Sequence, residues 1–297
     1  MAQDFERVKS RLDNIKAIEP LLGALRTMSM GTWQVALKQI EEIAQYEQYL
    51  ADLLVEILPF LDQNRRRKKH KQSLQDSKTE NIILIIGTER GLCGKFNERL
   101  ANSAMTWIEN QNFASHQIWA FGSKMIQALS QREIKTGWHR TLHTSALPIF
   151  EESFISTQKW IEQYESLSFN KFYILYNQSK KGGSYQFTTL KLIPYEVPDT
   201  LQSSQNFTAQ WPPPIIETEP QIIYKQIIRY LIAANFHNIL LHSAVAEHSS
   251  RYNLMQEAKN NAEEIIEELN QVINIERKRK ITQEMQELAS GAGLLDN

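Results

Sequence analysis

The chain has 297 residues, 42% of them hydrophobic, enough for one sizeable domain or two modest ones. Its formal net charge of -1 lacks the overall basic character expected of a nucleic-acid binder, and the single cysteine, Cys93, excludes an intramolecular disulfide and fits a reducing compartment. No uninterrupted apolar run approaches the roughly 18 residues of a membrane span. The first twenty residues mix Asp4, Glu6, Arg7, Lys9, Arg11, Asp13 and Lys16, unlike a signal peptide. These features predict a soluble, cytosolic protein.

Residues 3 to 58 contain one proline and few glycines. Phe5, Val8, Leu12, Ile15, Leu22, Leu25, Trp33, Leu37, Ile40, Ala44, Leu50, Leu54 and Ile57 keep broadly to three- and four-residue spacing, which predicts a helix of about 80 Å. Pro20 removes one helix hydrogen bond and predicts a kink near residues 16 to 20. Pro59 ends the helix, and residues 64 to 71, Asn-Arg-Arg-Arg-Lys-Lys-His-Lys, read as a solvated basic loop rather than an anion contact.

The period then changes. Ile82 to Ile86 is a short apolar run, as in a buried parallel strand. Residues 96 to 110 read as a helix, His116 to Phe121 as a strand, and Ser123 to Ser130 as a helix. Ile149 to Tyr164 is helical, and Phe172 to Tyr176 is a strand. Lys181-Gly182-Gly183 turns the chain into a last strand, Ser184 to Ile193. Alternating strands and helices predict a small, mostly parallel α/β domain.

Polar residues ending in Trp211-Pro212-Pro213-Pro214 lead to a second long helix, about Pro220 to Leu288, which spans roughly 100 Å. Within it Met255, Ala258, Ala262, Ile265, Leu269 and Val272 step by three and four, the mark of a seam against another long helix. The N-terminal helix is the available partner. The predicted fold is α/β plus a long antiparallel coiled coil formed by the N- and C-terminal helices. Its segments are a coiled-coil helix at 1-60, a basic linker at 61-80, an α/β (Rossmann-like) domain at 81-196, a linker at 197-219 and a coiled-coil helix at 220-297.

Candidate chemistry is sparse. Gly87 to Phe96 lies between a strand and a helix, the setting of a phosphate-cradling loop. Glu89 would repel phosphate, however, and Phe96 stands where a metal-binding Ser or Thr is required, so the loop reads as a tight turn. Cys93 has no activating neighbour in sequence and reads as a small buried hydrophobe. His242 and His248 are separated by about 240° on a helix and do not form a metal site. Asn206-Phe207-Thr208 matches a glycosylation pattern without a secretory context. No catalytic constellation, cofactor site or metal site is expected.

Three segments carry a family resemblance over essentially the whole chain. Thr88-Glu89-Arg90-Gly91-Leu92-Cys93-Gly94 with Asn97 resembles a Ser-Asp-Arg-Gly-Leu-Cys-Gly turn. Leu241-His242-Ser243 with Ala246-Glu247-His248 and Arg251 resembles a Ser-Glu-His-x-x-Arg helix segment. Ile281-Thr282-Gln283-Glu284 with Glu287 and Ser290-Gly291-Ala292 resembles a terminal Ile-Thr-Gln-Glu…Gly-Ala signature. Together they are similar to the γ subunit, the central rotor shaft, of F-type rotary ATPases. The chain departs from that pattern at Pro20 and Gly23. It departs again at Arg277-Lys278-Arg279-Lys280, where the family has an Arg-Gln pair.

The resemblance implies a non-catalytic rotor subunit, turning inside a ring of α and β subunits and standing on a membrane c-ring with the ε subunit. Arg277, Lys278, Thr282 and Glu284 would meet the β subunits; Trp211, Glu217 and Glu219 would belong to the foot at the c-ring and ε. It implies no cofactor, no nucleic-acid partner and no small-molecule substrate of its own, and a peripheral place on the cytoplasmic face of a bacterial inner membrane. The transported ion, proton or sodium, lies outside this chain. A free-standing coiled-coil adaptor with an α/β head, and a nucleotide-binding enzyme using residues 87 to 96, are the alternatives.

Overall fold

The computed structural model describes residues 2–61, 80–141, 147–197 and 215–291. Its elements in chain order are α1 (Ala2–Ile57), β1 (Asn81–Ile86), α2 (Phe96–Gln111), β2 (His116–Phe121), α3 (Ser123–Ser130), β3 (Trp138–Arg140), α4 (Phe150–Glu165), β4 (Phe172–Ser179), β5 (Tyr185–Ile193) and α5 (Pro220–Gly291). Two long helices and a small, mostly parallel sheet are the predicted architecture. The basic run at 64 to 71, the Asn206 pattern and Trp211 lie outside the described residues.

The chain divides into two compact units, Met1–Met30 with Arg251–Asn297, and Gly31–Ser250. In the first, Leu12 packs with Leu269 and Ile273, flanked by Phe5, Val8, Ile15, Ile265 and Ile266. Arg26 Nη1 donates to Gln256 at 2.6 Å, and Lys259 pairs with Glu19 at 3.3 Å. Partner numbers on α5 rise as those on α1 fall, so the helices run antiparallel. The seam differs from expectation at its end: Val272 is exposed and Ile273 is buried in its place. At about 3.6 residues per turn, the step from Met255 to Ile273 closes five whole turns, which an extrapolated heptad misses by one residue. Pro20 lies inside α1, which remains one helix from Ala2 to Ile57; the missing N–H does not break it.

The second unit is built on a five-stranded sheet of order β3-β2-β1-β4-β5. All neighbours are parallel except β4 and β5, which are antiparallel. β4 runs three residues past the predicted Tyr176, because Asn177 to Ser179 continue the ladder with β5. β3 was not expected: its three residues are too short to show a period.

Both faces of β1 are covered, which is why it is apolar without alternation. Ile83 and Ile85 face Leu100, Ala104 and Ile108 of α2 and Met125 and Leu129 of α3. Ile82, Leu84 and Ile86 face Trp160 of α4 and Ile232, Phe236, Ile239 and Leu240 of α5. The other side of α5 offers Ile227, Leu231, Ala234 and Leu241 to Ile43, Leu50, Leu54 and Ile57 of α1. This stretch of α5 is wedged between sheet and helix and is accordingly apolar on nearly every side.

Candidate functional site

The chain leaves β1 toward β2 and leaves β4 toward β5, on opposite sides, so the carboxyl ends of these two neighbouring parallel strands resemble a topological switch point, where open α/β sheets usually bind a ligand. The turn from Gly87 to Lys95 and the end of β4 meet there. Thr88 and Asn97 hold the turn. Thr88 N–H donates to Asn97 Oδ1 at 3.0 Å, Asn97 Nδ2 donates to Thr88 Oγ1 at 2.8 Å, and that hydroxyl donates to the Arg90 carbonyl at 2.8 Å. Both side chains are buried, so the network has no water to replace it. Asn97→Ala is expected to strand the buried Thr88 N–H and cost about 1–3 kcal/mol, measured by chemical denaturation.

The crevice beside this turn is filled by the chain itself. Cys93 and Phe96 pack with Ala246 of α5, and Tyr185 covers them. Ser250 Oγ donates to the Cys93 carbonyl at 3.3 Å, and Ser179 Oγ bonds His242 Nδ1 at 2.8 Å. Burial lowers the His242 pKa from its ordinary value. At the start of α3, where a bound phosphate would sit, the Glu89 carboxylate accepts the Ser123 N–H at 2.9 Å and also the Ser123 hydroxyl. Cys93 is buried, with its sulfur 3.6 Å from the Thr88 hydroxyl. Within the turn, the Arg90 carbonyl accepts the Thr88 hydroxyl, and Gly94 takes a φ of 59°. Leu92 is 58% exposed at a φ of 62°, an uncommon conformation for a leucine. Two motifs far apart in sequence, the turn and the Leu241–Ser250 stretch, thus form one joint.

The other candidate residues lie elsewhere. Arg277, Lys278, Thr282 and Glu284 are exposed on α5. Thr282 Oγ1 donates to the Lys278 carbonyl at 2.9 Å, and Lys280 pairs with Glu284 at 3.9 Å. Ile281, Met285 and Leu288 are 56%, 66% and 73% exposed. At about 100° per residue they share one stripe of the helix, and it has no partner among the described residues. Glu217 and Glu219 are exposed just ahead of α5.

Sequence reasoning passed over three polar residues, His237, which is buried, and Glu47 and Asn238, which are half-buried. His237 Nδ1 bonds Ser153 Oγ at 3.1 Å, and burial lowers its pKa to about 4. Glu47 accepts a hydrogen bond from Asn238 Nδ2 at 3.1 Å. A signal was present: Glu47 falls four residues after Ile43 and three before Leu50, on the apolar stripe of α1.

An antiparallel two-helix seam and an open α/β sheet, the crevice beside its turn filled by the chain's own helix, define a mechanical class of protein. The ATP synthase family profile matches residues 4–295, and the chain belongs to that family. An ATP synthase gamma chain of Fusobacterium nucleatum is 25% identical over 296 residues, spanning 98% of this chain and 99% of its own. One from Buchnera aphidicola is also 25% identical, over 97% of each chain. The rotor of the Euglena gracilis mitochondrial ATP synthase superposes with a TM-score of 0.62 at 13% identity, covering 95% of this chain and all of that one. A second Euglena gracilis structure, comprising OSCP, F1 and c-ring, gives 0.64 at 11% identity, covering 99% and 95%. These likenesses establish the same fold.

Proposed function

We propose that this chain is the central-stalk rotor subunit of a rotary ATP synthase, coupling ATP synthesis or hydrolysis in an α/β catalytic ring to ion flow through a membrane c-ring. The observation that carries the reading is the segment from Ile275 to Leu288. Its apolar stripe, Ile281, Met285 and Leu288, lacks a partner among the described residues, and four consecutive cations, Arg277 to Lys280, precede it. A stripe of this kind fits an apolar sleeve with an acidic rim, as a ring of α and β subunits would supply. The chain would contribute no catalytic group. An asymmetric pair of helices acts by touching otherwise equivalent subunits differently, which biases the open or closed state of each.

In this reading Arg277, Lys278, Thr282 and Glu284 contact the β subunits. Glu217, Glu219 and Trp211 belong to the foot that meets the ε subunit and the c-ring. No described helix is long and apolar enough to cross a membrane. The chain would therefore be peripheral, at the cytoplasmic face of a bacterial inner membrane, held there by its partners.

Replacing Arg277 and Lys278 together by Ala is expected to lower ATP-driven ion transport of the reconstituted complex about tenfold, roughly 0.7 kcal/mol for each cation. Unchanged coupled transport would overturn the contact assignment. Failure of the chain to co-purify with α, β and c subunits would overturn the rotor reading in favour of a free-standing adaptor.

A further inference from the structure

Within the second unit, α1 and α5 meet along a seam in which apolar residues step regularly: Ile43, Leu50, Leu54 and Ile57 on one side, Ile227, Leu231, Ala234 and Leu241 on the other. Each stripe has one polar member. Glu47 continues the first, four residues from Ile43 and three from Leu50. Asn238 continues the second, four from Ala234 and three from Leu241. The two polar members face each other: Asn238 Nδ2 donates to Glu47 Oε2 at 3.1 Å. Their remaining oxygens, Glu47 Oε1 and Asn238 Oδ1, are both buried and both lack a hydrogen-bond donor. Two acceptors cannot satisfy each other. One added proton removes the mismatch: a carboxylic acid donates where a carboxylate only accepts.

We propose that Glu47 is a proton-binding site in the seam. In its protonated form it makes a reciprocal acid–carboxamide pair with Asn238, which locks the register of α1 on α5 and loosens when the proton leaves.

The surroundings favour the neutral form. On α1 the neighbours one turn away are Ile43, Ala44, Leu50 and Ala51, none charged. On β4 and after β5 the nearby titratable groups are the phenols of Tyr176 and Tyr195, with Tyr224 of α5 beside Tyr195; burial first, and Glu47 second, raise both, Tyr176 to about 12. On α5, His237 and His242 flank Asn238 in sequence and both have lowered pKa values, so neither favours becoming a cation to neutralise a carboxylate. Burial raises the Glu47 pKa, against the smaller, opposing effect of the Asn238 bond. A polar pair set in an otherwise apolar seam is a known device for fixing helix register at some cost in stability.

The sign follows from the raised pKa. The lock contributes fully below the ordinary carboxylate range, and its contribution is lost as the pH rises through the folded-state pKa. Glu47→Gln imitates the protonated form permanently, since its amide donates to Asn238 Oδ1 and accepts from Asn238 Nδ2.

The test is infrared difference spectroscopy of the full-length chain, unmodified minus Glu47→Gln, from about pH 4.5 to about pH 8. It is paired with amide hydrogen exchange of residues 43–54 and 231–241, corrected for the intrinsic pH dependence. The expected result is a protonated-carboxyl band that persists above the ordinary glutamate range and is missing from the variant. Protection in both segments should fall with pH in the unmodified chain and stay level in Glu47→Gln, which should melt about 2–4 °C higher near pH 8. Should the variant fail to fold, Asn238→Leu provides the second subtraction, because removing the carboxamide shifts the Glu47 band. A band that titrates like an ordinary glutamate, or protection with the same pH profile in both proteins, would overturn the proposal. Either failure leaves the rotor reading untouched.

Discussion

Phe236→Ala is expected to destabilise the full chain by about 3–5 kcal/mol, a large share of the 5–15 kcal/mol by which folded domains persist. Phe236 is fully buried and projects from α5 into the aromatic layer beneath the sheet. Its ring meets Trp160 edge-on at 4.9 Å and Phe121 at 6.1 Å. Trp160 in turn stacks on Phe172 at 4.6 Å, so truncation leaves a cavity bordered by α4, β2 and β4. Stiff rings collapse poorly into such a void. Urea unfolding should show the loss, and Phe236→Leu, which keeps most of the volume, should cost less than about 1.5 kcal/mol. Exchange of α5 amides between residues 231 and 241 should rise together with that of β4, because the ring joins the two. Equal stability of Phe236→Ala and the unmodified chain would show that α5 is not anchored through this residue.

Gly122→Ala is expected to cost about 3 kcal/mol through a different cause. Gly122 joins β2 to α3 at a φ of 93°, and a Cβ there would lie 2.6 Å from the Thr88 carbonyl oxygen and 2.9 Å from that of Gly87. Those obstacles are backbone, held by the Thr88–Asn97 network and by the Lys124 N–H bond to the Thr88 carbonyl at 3.0 Å, so they cannot rotate away. Gly182→Ala is the control. Gly182 has a φ of 80° and open space around its missing Cβ, so only the left-handed conformation is penalised, by roughly 1–2 kcal/mol. Thermal melts of the two variants separate conformational strain from collision; similar melting temperatures would mean that the turn yields.

Much of the architecture was legible from period alone. β2 and α3 begin and end where their patterns do, because Gly122 between them supplies a break that neither element tolerates. The long helices were readable from the scarcity of breakers and from stripes that no single helix can bury. β3 was not, since three residues carry no period, and its place is set by pairing with β2. The end of β4 was misjudged because Asn177, a poor strand former, is buried in the sheet, where tertiary pairing outweighs propensity. The turn at 88 to 94 was readable as a turn. What lies over it was not: Ala246 and Ser250 arrive from more than 150 residues away. Glu47 and Asn238 escaped notice for a related reason. Each sits on an apolar stripe, but only the fold shows that the two stripes oppose each other there.

α5 has 72 residues and α1 has 56, and the seam they share in the first unit ends at Ile273. The remaining turns rely on their own short contacts, Arg279 with Glu276 at 3.8 Å, Lys280 with Glu284 at 3.9 Å and Gln283 with Glu287 at 3.0 Å. Such contacts contribute only about 0.2–0.5 kcal/mol each, and a helix of this length without tertiary packing is marginal in water. In the proposed assembly, the catalytic ring therefore supplies folding free energy to these turns as well as receiving mechanical work through them. Insertion would bury Ile281, Met285 and Leu288 at the moment the helix gains its full order, with the negative heat-capacity change of apolar burial. The segment would be most firmly a helix where it is surrounded, so its stiffness belongs to the complex rather than to the chain.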